Sequence, residues 1–264
     1  MTMTAVDIDG VVPIRRGEEP RALAVAAYQS LLEQLEDLEP ADWETPTVCE
    51  PWTVADVVRH LVGSARACAS VREFARQQFL GGRRRSAYDG NALDATNALQ
   101  VAEHSHLGPG ELVAQLRAWY PRAVRGRMSK PALLDRVEVS LAAGGSTAVG
   151  MPDRLSLGHL FRVILTRDVW LHRIDIARAL GRGLPLERQV DGRIVEDVVR
   201  EWAARHGQPF DLVLSGPLAA RYARPGEGPR MEMDAIELCW ILSGRGDPAP
   251  GTPGAELLAG RVLF

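Results

Sequence analysis

Apolar residues recur at three- and four-residue spacing from Pro20 onward, at Leu23, Ala26, Ala27, Leu31, Leu35 and Leu38. That is the pattern of a helix with one buried face. The residues before it, 1–19, are polar and read as a flexible arm. Pro40 and the run through Pro51 break the pattern. A second helix starts at Thr53, an N-cap with Asp56 three residues on, where a carboxylate reaches back to the free amides of the first turn. Val54, Val57, Val58, Leu61 and Val62 form its apolar face, and the pattern carries it to about residue 80. Residues 81–90 (GGRRRSAYDG) read as a loop and 91–103 as a polar segment. Pro109-Gly110 precedes a helix over 111–125; residues 133–151, with Gly144-Gly145, read as irregular. A long apolar run over 155–180 is helix-compatible and is closed by Gly181 and Gly183. Four principal antiparallel helices make a bundle.

The remainder of the chain has a different texture. Residues 190–206 predict one more amphipathic helix. Short strand-like pieces follow at 210–214, 219–223 and 230–233, separated by Gly and Pro. Residues 234–243 read as a helix stopped by Gly244, residues 247–254 as a loop, and 260–264 as a last strand. The fold class expected is therefore mainly α: a four-helix bundle over 1–186, then a small α+β C-terminal domain over 187–264.

Charge narrows the function classes. The chain has 264 residues with 31 Lys+Arg against 34 Asp+Glu, a net charge of −3. A nucleic-acid partner would call for a basic excess or stripe, so none is expected. No apolar run reaches the length of a membrane span. The N-terminus lacks the basic start and apolar stretch of a secretory signal, and the three cysteines, Cys49, Cys68 and Cys239, form no CxxC. A cytoplasmic location is the expectation. The basic residues are thirty arginines and one lysine, Lys130, a bias that GC-rich coding would leave.

The sharpest local chemistry is Asp168-x-x-x-His172. Four residues turn about 40° round a helix, so both side chains point the same way, one turn apart. Such a pair either shares a metal ion or is a solvated helix pair. Asp175, three residues beyond His172, is either an outer partner to the second ring nitrogen or a ligand in place of Asp168. His60, among Val57, Val58, Leu61 and Val62, is either a hydrogen-bonded core histidine or a third ligand brought in by a second helix. Three protein ligands with one open position characterise a catalytic metal site. His159 falls on the far side of the 155–180 helix, and His104 and His106 read as a solvated loop. There is no GxSxG elbow, glycine-rich phosphate loop or HExxH.

Three stretches, in order, resemble the mycothiol-dependent maleylpyruvate isomerase family, a branch of the DinB-like four-helix bundles. They are residues 43–61 (WETPTVCEPWTVADVVRHL), 167–181 (RDVWLHRIDIARALG) and 238–245 (LCWILSGR). The resemblance implies a divalent metal, usually zinc, at His60, Asp168 and His172. It also implies an activity-linked arginine at Arg245, and mycothiol, the small thiol of actinobacteria, as substrate or cofactor. Metal and thiol together imply a thiolate without a protein nucleophile. Transfer of that thiolate to a small electrophile, as in detoxification or specialised metabolism, is the leading expectation. Cis–trans isomerisation of a maleylpyruvate-like diacid and a non-catalytic DinB-like binding module are the alternatives. Two residues depart from the family pattern: Asp168 stands for the usual Glu, one methylene shorter, and Pro51 for the Gly before the signature tryptophan.

Overall fold

The computed structural model describes residues 3–140 and 150–264. The Gly144-Gly145 part of the stretch read as irregular lies outside the described residues. The chain forms the expected helical bundle and a smaller α+β part, as two compact units. One unit runs from Arg15 to Leu184 apart from a short stretch ending at Pro152; the other gathers that stretch, the residues through Ile14, and Pro185–Phe264.

The chain opens with β1 (Val6–Asp7), which belongs to the second unit. In the bundle unit, α1 (Glu18–Glu36) starts just before the predicted Pro20. The helix α2 (Val54–Ala69) is capped as its sequence predicts: Asp56 N donates to Thr53 Oγ1 at 3.3 Å and Thr53 N to Asp56 Oδ2 at 3.2 Å. It does not continue to residue 80. Ser70 leaves helical geometry at φ −142°, ψ 121°, and its Oγ accepts from Glu73 N to open α3 (Val71–Arg84). The polar segment after the loop is also a helix, α4 (Ala92–Glu103), with the Asn91 side chain accepting from Leu93 N and Asp94 N. Then come α5 (Pro109–Met128), the strands β2 (Glu138–Ser140) and β3 (Arg154–Ser156), and a short α6 (Leu157–His159). A π-helical turn over Leu160–Ile164 leads from α6 into α7 (Leu165–Ala179). The predicted continuous 155–180 helix is thus a strand end, the short α6, a π turn and α7.

Four helices close the bundle: α1 packs on α5 and α7, and α2 on the same two. Leu31, Leu35, Val57, Val58, Leu61, Leu112, Leu116, Val169 and Ile176 fill the space between them. The α3–α4 pair packs along α2. Glycine makes that approach possible: a Cβ at Gly63 on α2 would stand 2.6 Å from Gln100 Cβ, and one at Gly81 on α3 would stand 2.1 Å from Thr96 Oγ1.

In the second unit, α8 (Asp191–His206) ends on Gly207 at φ +66°, a backbone value that glycine adopts without Cβ strain. It is followed by β4 (Phe210–Ser215), β5 (Ala220–Arg224), β6 (Arg230–Asp234), α9 (Ala235–Leu242) and α10 (Ala255–Leu258). The sheet order is β1-β5-β4-β6. The expectation of a flexible arm over 1–19 is corrected by this order. Val6 and Asp7 pair in parallel with Tyr222 and Ala223, and Ile8 is buried. Pairing across more than 200 residues leaves no local signature in the sequence. The expected last strand is corrected too: Val262 N bonds Leu242 O and Arg261 N bonds Gly150 O, but residues 260–264 make no ladder. No helix among the described residues is long and apolar enough to cross a membrane.

Candidate metal centre

Three elements of the bundle unit converge on one point. His60 sits in the middle of α2, Asp168 and His172 lie one turn apart on α7, and the loop before α2 closes over them. The loop is pinned on itself: Thr47 N and Oγ1 both donate to Trp52 O at 2.9 Å, and Pro46 bridges Thr53. This brings the Trp52 ring to 5.2 Å from the His60 ring, and Cys49 against α7.

The two imidazoles meet edge to face, 5.3 Å apart. His60 Nε2 lies 3.6 Å from Asp168 Oδ2, and His172 Nε2 lies 3.4 Å from Asp168 Oδ1. The far nitrogens are engaged elsewhere: His60 Nδ1 is 2.8 Å from Gln100 Oε1, and His172 Nδ1 is 2.8 Å from Asp175 Oδ2. Cys49 Sγ donates to the same Asp175 oxygen at 3.3 Å. Both imidazoles are buried, whereas the Asp168 side chain keeps 22% of its surface exposed.

Burial disfavours a charged Asp168, but the His172 and His60 imidazoles outweigh it and hold the carboxyl well below the usual range. Burial likewise disfavours a charged His172, and Asp168 and Asp175 outweigh it, so this imidazole is raised well above the ordinary histidine value.

The donor set fits a metal ion. His60 Nε2 is a buried polar atom with no hydrogen-bond partner among the described residues. One donor atom from each of His60, Asp168 and His172 lies within 4.8 Å of the others. Four ligands at zinc bond lengths of about 2.05 Å stand about 3.3 Å apart in a tetrahedron, and each imidazole has one of the two Asp168 oxygens near that spacing. A carboxylate and an amide oxygen behind the two rings are the outer hydrogen bonds that such ligands use to fix their tautomers.

The profile of the mycothiol maleylpyruvate isomerase N-terminal domain matches residues 24–177. The chain belongs to this family. In three dimensions it is similar to crystal structures of the mycothiol-dependent maleylpyruvate isomerase and of a histidine-to-alanine mutant of it, with TM-scores of 0.51 and 0.52. Each comparison covers 91% of this chain and 92% of the other, at 18% identity, a likeness of fold. No curated protein sequence matches the chain.

Within the stretch matched to the mycothiol maleylpyruvate isomerase family lie His60, Asp168 and His172; Arg245 falls beyond it. Arg245 occupies the turn after α9 in the second unit, half-buried, beside Gly244 at φ +83°. Asp175 stands 2.8 Å from His172 Nδ1, and with Cys49 and His172 it makes a second group of potential donors on that side of the ring. His104 is not a solvated loop residue: it ends α4, buried, with Nδ1 2.7 Å from Gln100 O. Two residues at the centre carried no sequence signal of chemistry, Gln77 and Gln100. Asn91 and Asp94, an N-cap pair, were the available clue that the segment of Gln100 is helical.

Proposed function

We propose that His60, Asp168 and His172 hold a divalent metal ion, zinc by its donor set, and that the enzyme transfers the mycothiol sulfur to a small electrophile. One observation carries this reading: two buried imidazoles turn their Nε2 atoms to a single carboxylate while their Nδ1 atoms are held from behind. Two imidazoles and a carboxylate suit zinc and leave one coordination position. A metal ion held there supplies the charge that lowers the pKa of a thiol in its shell.

The protein's own groups do the rest. Asp175 holds the proton on His172 Nδ1, and its charge makes that imidazole a stronger donor. Trp52 lies over His60 and shields that face from water. Arg245, the arginine that the resemblance ties to activity, carries a planar fork of donors suited to a carboxylate of the acceptor. In transfer, the thiol releases its proton to solvent, sulfur bonds the electrophilic carbon, and a leaving group departs with the electron pair. The family match favours a second reading. There the sulfur adds to a conjugated cis double bond, the electron pair moves onto the carbonyl, and rotation followed by loss of sulfur gives the trans isomer.

Metal analysis of purified protein tests the site. One equivalent in the wild type, lost in His60→Ala and His172→Ala, is expected; its retention in both variants sinks the ligand set. Mycothiol supplied with an alkylating electrophile, and separately with a cis diacid, separates the reactions. Consumption of mycothiol with the first supports transfer, and rapid isomerisation with mycothiol recovered unchanged supports the second reading.

A further inference from the structure

We infer that Gln77 and Gln100 form a one-way hydrogen-bond relay that fixes the proton on His60 Nδ1 and so leaves Nε2 bare toward the metal position. They are positioning residues, and the inference rests on the metal reading above.

The direction of the relay is set at its far end. Gln77 Nε2 lies 3.1 Å from the Gly63 carbonyl oxygen and 2.9 Å from Glu73 Oε1. A backbone carbonyl only accepts. The Glu73 carboxylate also only accepts, because Arg76 beside it draws its pKa to about 2. Two acceptors at one end require the amide nitrogen of Gln77 there, which turns its oxygen to Gln100. Gln100 Nε2 donates to that oxygen at 2.8 Å, and its own oxygen therefore faces His60 Nδ1, also at 2.8 Å. An acceptor at that place demands Nδ1–H, and a neutral imidazole then keeps its lone pair on Nε2.

The reversed chain sets amide oxygens against the Gly63 and Glu73 oxygens, and buried groups denied their partners are costly. All three side chains are buried, so water does not relieve the mismatch. The competing His60 tautomer is close at hand. With the proton on Nε2, the ring would aim it at Asp168 Oδ2, 3.6 Å away, and a small closure of that gap would tie up two of the three donor groups in a hydrogen bond. The relay therefore decides between a metal ligand and a His–Asp pair. Its polarity begins at the carbonyl of Gly63, the residue whose missing Cβ also lets Gln100 approach.

The test reads the tautomer in metal-free protein labelled with 15N-histidine, where two-bond proton–nitrogen correlations distinguish Nδ1–H from Nε2–H. Wild-type His60 is expected as Nδ1–H. Gln77→Leu frees the Gln100 amide to turn over and is expected to move His60 toward Nε2–H, with zinc and cobalt affinity about 10–100-fold weaker. Gln100→Leu should do the same. Thr96→Val, a buried change on the same helix outside the relay, should alter neither readout. A wild-type His60 protonated on Nε2 overturns the inference, whether or not the variants fold. So does Gln77→Leu with unchanged tautomer and affinity. Wild type that binds no metal yet shows Nδ1–H would sink the metal reading and leave the relay standing.

Discussion

Asp168→Glu tests the donor geometry directly, glutamate being the residue that the family resemblance leads one to expect at this position. The Asp168 oxygens stand 3.4 Å and 3.6 Å from the two Nε2 atoms, against about 3.3 Å between ligands of a tetrahedral zinc ion. Each imidazole thus already has an aspartate oxygen within a few tenths of an ångström of that spacing. A further methylene adds roughly 1.3 Å. The two imidazoles stand on the donor side of the carboxylate, so the longer side chain has to bend toward its exposed side to bring an oxygen back. Taking up the excess by twisting a torsion about 30° from its well costs about 0.5–1.5 kcal/mol. At 1.4 kcal/mol per decade that is about a 2–10-fold loss of affinity. Asp168→Ala removes the only anionic donor of the three and should cost much more, on the order of 100-fold. Cobalt titration followed by its visible absorption, with zinc competition, measures all three proteins on one scale. Glutamate binding as tightly as aspartate, or more tightly, would refute the reasoning from spacing.

Three further outcomes follow from the bundle around the site. Gly63→Ala places a Cβ 2.6 Å from Gln100 Cβ and 3.2 Å from its Cα. It should cost about 1–3 kcal/mol by overpacking and weaken metal binding as well; denaturant unfolding and the cobalt titration read the two effects, and a gain in stability would contradict the close approach. Arg127 is fully buried with no hydrogen-bond partner for its guanidinium among the described residues, so Arg127→Met should stabilise by about 1–4 kcal/mol; a lower melting temperature would show that the charge is partnered. Glu73, hydrogen-bonded by Arg76, has its pKa drawn from 4.5 to about 2, so its contribution is complete above pH 4.5 and fades as pH falls toward 2. Glu73→Gln should therefore be less stable by on the order of 1 kcal/mol at pH 6, the pair being partly solvated, with the gap closing in acid; a gap that persists at pH 2 would contradict the assignment.

What the sequence disclosed, and what it hid, divides along a physical line. Asp168 and His172 were legible as a pair because a four-residue step on a helix fixes their common direction whatever the fold around them. The Thr53–Asp56 cap was legible for the same reason: its partners are three residues apart. The break at Ser70 and the helix α4 were not, because the buried faces they organise are only half apolar. α4 buries Ala95, Thr96, Leu99 and Gln100, and α3 buries Gln77 and Gly81. A reading by apolar periodicity sees two hydrophobic positions where four are buried. A surface helix would have no use for glutamines turned inward, since each buried amide must find partners for its oxygen and its nitrogen. Here they find them in each other, in a backbone carbonyl and in His60. Gln100, one of the polar residues that concealed α4 from the hydrophobic pattern, is thus the one that reaches His60. A helix whose inward face is polar, packed against a histidine on an otherwise apolar helix, is a pattern to search for when only one ligand pair of a site can be read from spacing.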